Sequence, residues 1–162
     1  MADNQKLLEV RDLKKSFPIK AGFLFRHTVA TVMAVDGISF SIDKNKTFGL
    51  VGESGCGKTT AGRSIIKLLE PTGGQVLVNG EDIAPKKERE LIKYRREMQI
   101  VFQDPTSSLN PRMTVGQALS EPLLFHNIVK NSKEAREVLG ELLLSVGMKP
   151  YHLDRYPYQF SG

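Results

Sequence analysis

A glycine-rich segment in the first half of the chain has the residue types needed to hold a phosphate group. Residues 52–59 read Gly-Glu-Ser-Gly-Cys-Gly-Lys-Thr and fit the pattern G-x-x-x-x-G-K-[ST]. Glycines let backbone N–H groups converge on phosphate oxygens. Lys58 supplies a mobile charge for the β- and γ-phosphates, and the Thr59 hydroxyl suits the coordination shell of Mg²⁺. The pattern therefore predicts a site for a nucleoside triphosphate and Mg²⁺.

The predicted nucleotide-binding residues fill this loop and continue into the next element. They are Gly52, Glu53, Ser54, Gly55, Cys56, Gly57, Lys58, Thr59 and Thr60. Cys56 has no base beside it in sequence, so we expect a small loop residue there and not a nucleophile. An ordinary glycine turn is the alternative interpretation, and the four fixed positions of the pattern disfavour it.

The elements around the loop are those that a phosphate site requires. The apolar residues 47–51 predict a buried strand that runs into the loop. After the loop, apolar residues recur at helical spacing over 61–69 until Pro71 ends the pattern. The helix N-terminus would then add its positive dipole end to the phosphate site.

The remaining pattern predicts a β region at the start and helices at the end. Strands are expected at residues 7–13, 35–42, 75–78 and 98–102, with a long loop over 18–27 and a turn at Asn79-Gly80. A charged helix is expected between the last two strands. Residues 114–146 favour helices, with an N-cap at Asn131-Ser132.

Composition indicates an ordinary globular protein. The 162 residues are 40% hydrophobic and 25% charged, enough for one folding unit with a core. A net charge of +5 is compatible with nucleic acid, a membrane surface or phosphate-bearing ligands. The densest basic stretch, residues 86–96, is interrupted by glutamates, which favours the solvated face of a helix over a nucleic-acid patch. We therefore expect no nucleic-acid partner.

Two further features bear on where the protein works. Residues 1–5 lack both the basic start and the apolar core of a signal peptide, so we expect a cytoplasmic protein. No apolar run approaches the roughly 18 to 20 residues that a membrane-spanning helix requires. Any association with the membrane is therefore expected to come through a partner. The single cysteine excludes a disulfide framework.

Three motifs beyond the loop narrow the protein class. The Asp-x-x-Gly and Asn-Lys-x-Asp motifs of a GTPase do not follow the loop. Instead, Gln103 ends the predicted strand and continues into residues 104–111, which resemble the Q-loop of ATP-binding-cassette proteins. Residues 160–162 resemble the opening of the signature motif of that family. Residues 108–112, Ser-Leu-Asn-Pro-Arg, resemble the dipeptide and oligopeptide importers, specifically their second ATPase subunit.

The resemblance implies roles for particular residues. Phe17 falls where the family stacks an aromatic ring on adenine, and Gln103 falls where a glutamine reaches Mg²⁺ and the attacking water. The metal ligands are then Thr59 and Gln103. Ser161 would contact nucleotide across a dimer with a homologous ATPase subunit, as a homodimer or heterodimer. Transmembrane permease subunits are the other expected partners, and they would hold the protein on the inner face of the cell membrane.

The resemblance also implies the fold and the activity. We expect an α/β P-loop ATPase of RecA-like type, with an N-terminal antiparallel β region and a partial helical subdomain, C-terminally incomplete. Residues 1–103 would form the β region and ATP-binding core, and residues 104–162 the Q-loop and helical part. The implied function is ATP-driven peptide import.

Three alternatives stay open. Walker B, the catalytic glutamate and the switch histidine are not found among the 162 residues, so a nucleotide-binding fragment without hydrolysis is the first. An importer of nickel or glutathione is the second. The third is a soluble cassette protein of DNA repair or translation, a class that shares the glycine-rich loop but not the sequence of residues 108–112.

Overall fold

The computed structural model describes residues 6–22, 27–103 and 108–160. They form two compact units, Met1–Arg95 and Arg96–Gly162. The predicted division after residue 103 stays a prediction.

A long antiparallel hairpin dominates the first unit. Strand β1 (Lys6–Ala21) pairs with β2 (His27–Asp43), and Val10 lies opposite Phe40. The two predicted strands are thus confirmed, but the predicted loop over residues 18–27 is wrong because Ala21 still pairs with His27. Pro18 fits within β1 because the strand has no second neighbour there among the described residues, so a missing N–H costs little.

Two shorter strands complete the sheet. Strand β3 (Gly73–Val78) pairs with β1, and β4 (Glu81–Asp82) pairs with β3, which gives the order β2-β1-β3-β4. The predicted turn at Asn79-Gly80 is confirmed, with φ of 50° and 84°, values that asparagine and glycine tolerate best. The apolar side chains buried in and beside this sheet include Val10, Leu13, Val76, Val78 and Ile83.

Helix α1 (Lys58–Ile65) follows the glycine-rich loop, as predicted. It buries Ala61 and Ile65, and it ends before Leu69 because Lys67 adopts a left-handed φ of 57°. The Lys67 side chain is buried, and its ammonium group donates to Glu70 at 2.7 Å and to the Ala84 carbonyl. Its charge is therefore satisfied inside the unit.

Two predicted core strands are wrong. Residues 47–51 and 98–102 pair with no other strand among the described residues. A strand exists only when a neighbouring segment supplies hydrogen-bond partners, and apolar sequence alone does not provide them. Val51 and Val101 are each 90% exposed as a result.

Helix α2 (Glu88–Glu97) is the predicted charged helix. The Glu81 carboxylate lies 2.6 Å from Lys86 and 3.1 Å from Lys93, and Arg95 lies 2.6 Å from Glu88. The hydrogen bond from Lys86 is the largest cause that lowers the pKa of Glu81, to about 2. Much of the basic stretch therefore faces acidic side chains of the same unit.

The second unit is helical. It contains α3 (Val115–Phe125) and α4 (Ser132–Ser145), followed by short 3₁₀ turns at Pro150–Asp154 and Pro157–Gln159. The Asn131 side chain accepts from the Glu134 amide at 3.0 Å, which confirms the predicted N-cap. The centre of its core is Leu139, Leu143 and Leu153. No helix in the described ranges is long and apolar enough to cross a membrane.

The sheet makes a stability prediction at Gly74. A Cβ there would lie 2.3 Å from the Asp12 carbonyl oxygen, whereas a Cβ at Gly80 meets nothing within 4 Å. Both glycines have a left-handed φ, so either alanine should cost about 1 kcal/mol of backbone strain. Gly74→Ala should cost about 3 kcal/mol or more in total, because β1 and β3 must separate.

Urea unfolding of Gly74→Ala and of Gly80→Ala as the matched control measures this difference. Equal free energies of unfolding for the two variants would show that the close approach of β3 to Asp12 is unimportant.

Candidate nucleotide-binding site

The glycine-rich loop enters α1 without a capping side chain. Gly55 and Gly57 adopt left-handed φ values of 81° and 96°, and Gly57 is the N-cap residue of the helix. No acidic residue lies in the first turn. The first N–H groups of a helix lack intrahelical acceptors, and its positive dipole end is not balanced here by a carboxylate. This end of α1 is therefore suited to an anion.

Gly57 also fixes the loop against the sheet. A Cβ at this position would lie 2.1 Å from the carbonyl oxygen of Ala34 and 3.9 Å from Cγ2 of Val35. Only glycine allows the loop backbone to come this close to β2. The sequence gives no sign of the role of Ala34, because an alanine in a strand carries no chemical signal.

Lys58 reaches back over the loop. Its ammonium group donates to the carbonyl oxygens of Gly52 at 2.7 Å and Glu53 at 2.6 Å, and it lies 3.5 Å from the Cys56 sulfur. A Cβ at Gly52 would lie 2.7 Å from that sulfur, so Cys56 packs within the loop. Neutral carbonyl groups thus hold the positive charge at the loop. An anion is a stronger acceptor and would replace them as the partner of Lys58.

The other predicted loop residues surround this charge. Glu53, Ser54 and Thr59 are exposed, and Thr60 is half-buried in the first turn of α1. The Thr59 hydroxyl makes no hydrogen bond to another described side chain or carbonyl. It is a hard oxygen donor beside Lys58, which fits the ligand chemistry of Mg²⁺.

Phe17 lies on β1 and reaches the same part of the sheet as the loop. It pairs with Val32, two residues before Ala34, the residue that Gly57 approaches. Phe17 is 39% exposed, and the Lys15 ammonium lies 4.9 Å from the centroid of its ring. An exposed ring face on this stretch of the hairpin suits stacking on a flat base.

Two predicted site residues are not joined to the loop by these observations. Gln103 is exposed and belongs to the second unit. Its amide oxygen is also a donor that suits Mg²⁺, and its action together with Thr59 stays a prediction. Ser161 lies outside the described residues, as do residues 104–107 of the predicted Q-loop.

Comparison with known proteins identifies the family. The ABC transporter family model matches residues 35–162, a range that begins beside Ala34 and includes the loop and both helices of the second unit. The chain belongs to the ABC transporter family. The resemblance to this family inferred from the motifs is therefore confirmed.

The similar ABC transporter proteins include ATP-binding proteins of oligopeptide and dipeptide transport. The oligopeptide transport protein AppF of Bacillus subtilis is 50% identical over 99% of this chain and 49% of its own length. The dipeptide transport protein DppF of Escherichia coli is 45% identical over 98% of this chain and 46% of its own length. The chain spans about half the length of the curated relatives it matches.

Solved ABC cassettes share the fold. The ATP-binding cassette MJ0796, a dimer with ADP and Pi, has a TM-score of 0.74 and 22% identity over 95% of this chain and 63% of that chain. The cbiO1 protein of Clostridium perfringens has a TM-score of 0.70 and 23% identity, over 97% and 56% of the two chains. The predicted fold class, an α/β P-loop ATPase of the ABC type, is confirmed.

The close approach at Gly57 predicts a loss of nucleotide binding. Gly57→Ala should push the loop away from the Ala34 carbonyl and weaken binding of a fluorescent ATP analogue by about tenfold or more. Gly62→Ala is the matched control, because a Cβ at this helical glycine meets nothing within 4 Å.

The control should bind normally and stabilise α1 by about 0.5–1 kcal/mol. Wild-type affinity in Gly57→Ala would mean that the contact with β2 does not shape the site.

Proposed function

We propose that this chain binds Mg-ATP through residues 52–60, with the adenine stacked on Phe17. The observation that carries the proposal is the loop, where two left-handed glycines, an uncapped helix N-terminus and the Lys58 ammonium meet. All three features favour the same ligand, a chain of phosphate groups.

The phosphates would replace neutral acceptors of Lys58. The lysine now donates to the carbonyls of Gly52 and Glu53, and phosphate oxygens would take over these hydrogen bonds. A hydrogen bond between two ionised groups is about twice as strong as one to a neutral group, so the exchange favours binding. The free N–H groups at the start of α1 would hold the same phosphates.

Mg²⁺ would be held by oxygen donors of this chain. Thr59 offers its hydroxyl from the first turn of α1, and Gln103 offers its amide oxygen. The ion neutralises charge on the β- and γ-phosphates when it is bound. Gln103 would also orient the attacking water in the longer protein.

Phe17 would recognise the base by its shape alone. An aromatic ring stacks on any purine and forms no hydrogen bonds with its edge. The Lys15 ammonium lies over one face of the ring, so the base would stack on the other face or displace Lys15. Adenine and guanine should therefore bind with similar contributions from Phe17.

The longer protein would hydrolyse ATP to drive peptide import. Support comes from the 50% identity with AppF and the 45% identity with DppF, both named as peptide transport proteins. The glutathione import protein GsiA of Pectobacterium atrosepticum is 44% identical over 99% of this chain, so glutathione stays an alternative solute, as does nickel. Transport assays with each solute in cells lacking the gene would decide among them.

The helical unit would provide the contact with transmembrane permease subunits. A cavity of about 620 Å³ lies between α3, α4 and the turn at Pro150–Asp154. Arg136 and Asp154, bonded at 2.8 and 2.7 Å, line one side, and Glu121 lines it from α3. A permease segment with a basic and an apolar residue would match this lining. This contact would hold the protein at the inner face of the cell membrane. A second ATPase subunit would be its dimer partner.

A second candidate function concerns these 162 residues by themselves. They contain no apolar strand followed by Asp-Glu, the sequence that would supply a catalytic glutamate. Nucleotide binding without turnover is therefore the function we propose for this polypeptide in isolation. Steady-state phosphate release distinguishes the two candidates, because release that disappears in Lys58→Ala would indicate an active ATPase.

Loss of the Lys58 charge should weaken ATP binding. Lys58→Ala removes a charge-assisted hydrogen bond of about 1.5–3 kcal/mol, which corresponds to roughly 10- to 150-fold in Kd. Titration with a fluorescent ATP analogue in the presence of Mg²⁺ measures the change. Lys46→Ala, an exposed lysine before the loop, is the control for charge and should bind normally. Equal affinity of the wild type and Lys58→Ala for the ATP analogue would contradict the proposal.

Changes at Phe17 should affect purine nucleotides equally. Phe17→Ala removes stacking worth about 1–3 kcal/mol and should weaken ATP and GTP binding by about tenfold each. Phe17→Tyr keeps the ring and should bind both nucleotides like the wild type. Competition titrations with the two nucleotides test this, and a selective loss of one of them would contradict simple stacking.

A further inference from the structure

The hairpin contains a long segment that has basic residues but no acidic ones. Residues 13–35 contain no aspartate or glutamate, although the whole chain has 18 acidic residues. The basic residues of this run are Lys14, Lys15, Lys20, Arg26 and His27. Electrostatic attraction from this segment is therefore directed only at anions.

The distal half of the hairpin extends beyond the rest of the sheet. Strand β3 pairs with β1 only as far as Lys14. Residues 16–21 and 27–33, here called the outer ribbon, pair with each other through contacts such as Ile19 opposite Ala30. Among the described residues, the outer ribbon has no third strand and leaves both edges open.

Its apolar side chains are exposed. Ile19 is 47% exposed and Val29 is 53% exposed, and Val32 and Met33 are similar. A two-stranded ribbon is only marginally stable in water. Proteins normally protect an uncharged strand edge, such as residues 28–35, from pairing with other chains. Some surface is therefore expected to cover these side chains.

Lys20 completes the pattern. It is exposed and makes no ion pair with any residue in the described ranges. Lys14, in contrast, lies 3.1 Å from Asp12, and Lys15 donates to the Glu70 carbonyl. The outer ribbon thus combines an unpaired cation with exposed aliphatic side chains of Ile19 and Val29.

We propose that the outer ribbon binds the surface of a membrane that contains anionic phospholipids. Cations near such a surface are attracted to the headgroups, and aliphatic side chains enter the boundary with the acyl chains. A second copy of the chain fits less well, because two acid-free ribbons repel each other. Nucleic acid fits less well because valine and isoleucine offer it neither stacking nor hydrogen bonds.

Vesicle sedimentation of the 162-residue chain tests the proposal. Vesicles of phosphatidylcholine with phosphatidylglycerol should bind the chain far better than phosphatidylcholine alone, and added salt should weaken the binding. Each basic charge contributes about fivefold, so Lys20→Glu should weaken binding by about 25-fold. The pair Ile19→Thr and Val29→Thr, which keeps β-branched residues, should weaken it severalfold.

The second unit offers matched controls. Lys133→Glu makes the same charge change on α4, and Leu144→Gln removes an exposed apolar side chain from the same helix. Both should bind vesicles like the wild type. Lys58→Ala should also bind vesicles normally, which separates this proposal from the one on ATP.

A gain of binding guards against simple misfolding. Thr31→Lys adds a cation at an exposed position of the outer ribbon and should strengthen vesicle binding by about fivefold. Equal losses in ribbon and control variants, equal binding to neutral vesicles, or no gain in Thr31→Lys would each overturn the proposal. Release of the chain from the vesicles by added DNA would also overturn it. So would light scattering that shows a dimer of the wild type but a monomer of the ribbon variants.

Discussion

Gly57 lies so close to the Ala34 carbonyl oxygen of β2 that a Cβ would come within 2.1 Å of it. This contact connects the glycine-rich loop to the long hairpin, and the rest of the candidate site depends on it. The loop gains a fixed support for the Lys58 ammonium and for the N-terminus of α1. The pairing of β2 with β1 then brings Phe17 to the same stretch of sheet. The proposed phosphate and base sites therefore share one support.

The same hairpin has two halves with different surroundings. The proximal half pairs with β3 and buries Val10 and Leu13. The outer ribbon lacks this neighbour and keeps cationic and aliphatic side chains exposed. Several charges elsewhere in the unit are paired, as with Glu81 and its two lysines. The outer ribbon instead carries Lys20 without an ion pair in the described ranges and has no acidic residue, so its chemistry favours an anionic lipid surface.

Each of the two units contains an apolar segment that joins no sheet among the described residues. Residues 47–51 lead into the loop and residues 98–102 lead to Gln103, yet neither segment forms a strand among the described residues. Both leave valine side chains almost fully exposed. Such segments are prone to pair with other chains, so the isolated polypeptide should associate as its concentration rises.

The sequence by itself determined the features that depend on nearby residues. The glycine-rich loop, the turn at Asn79-Gly80 and the Asn131 cap follow from interactions within a few positions. Tertiary structure alone decided the passage of β1 through Pro18 and the approach of Gly57 to Ala34. It also decided that residues 47–51 form no strand. These outcomes depend on partners distant in sequence, because a strand edge or a close backbone contact exists only where another segment arrives to make it.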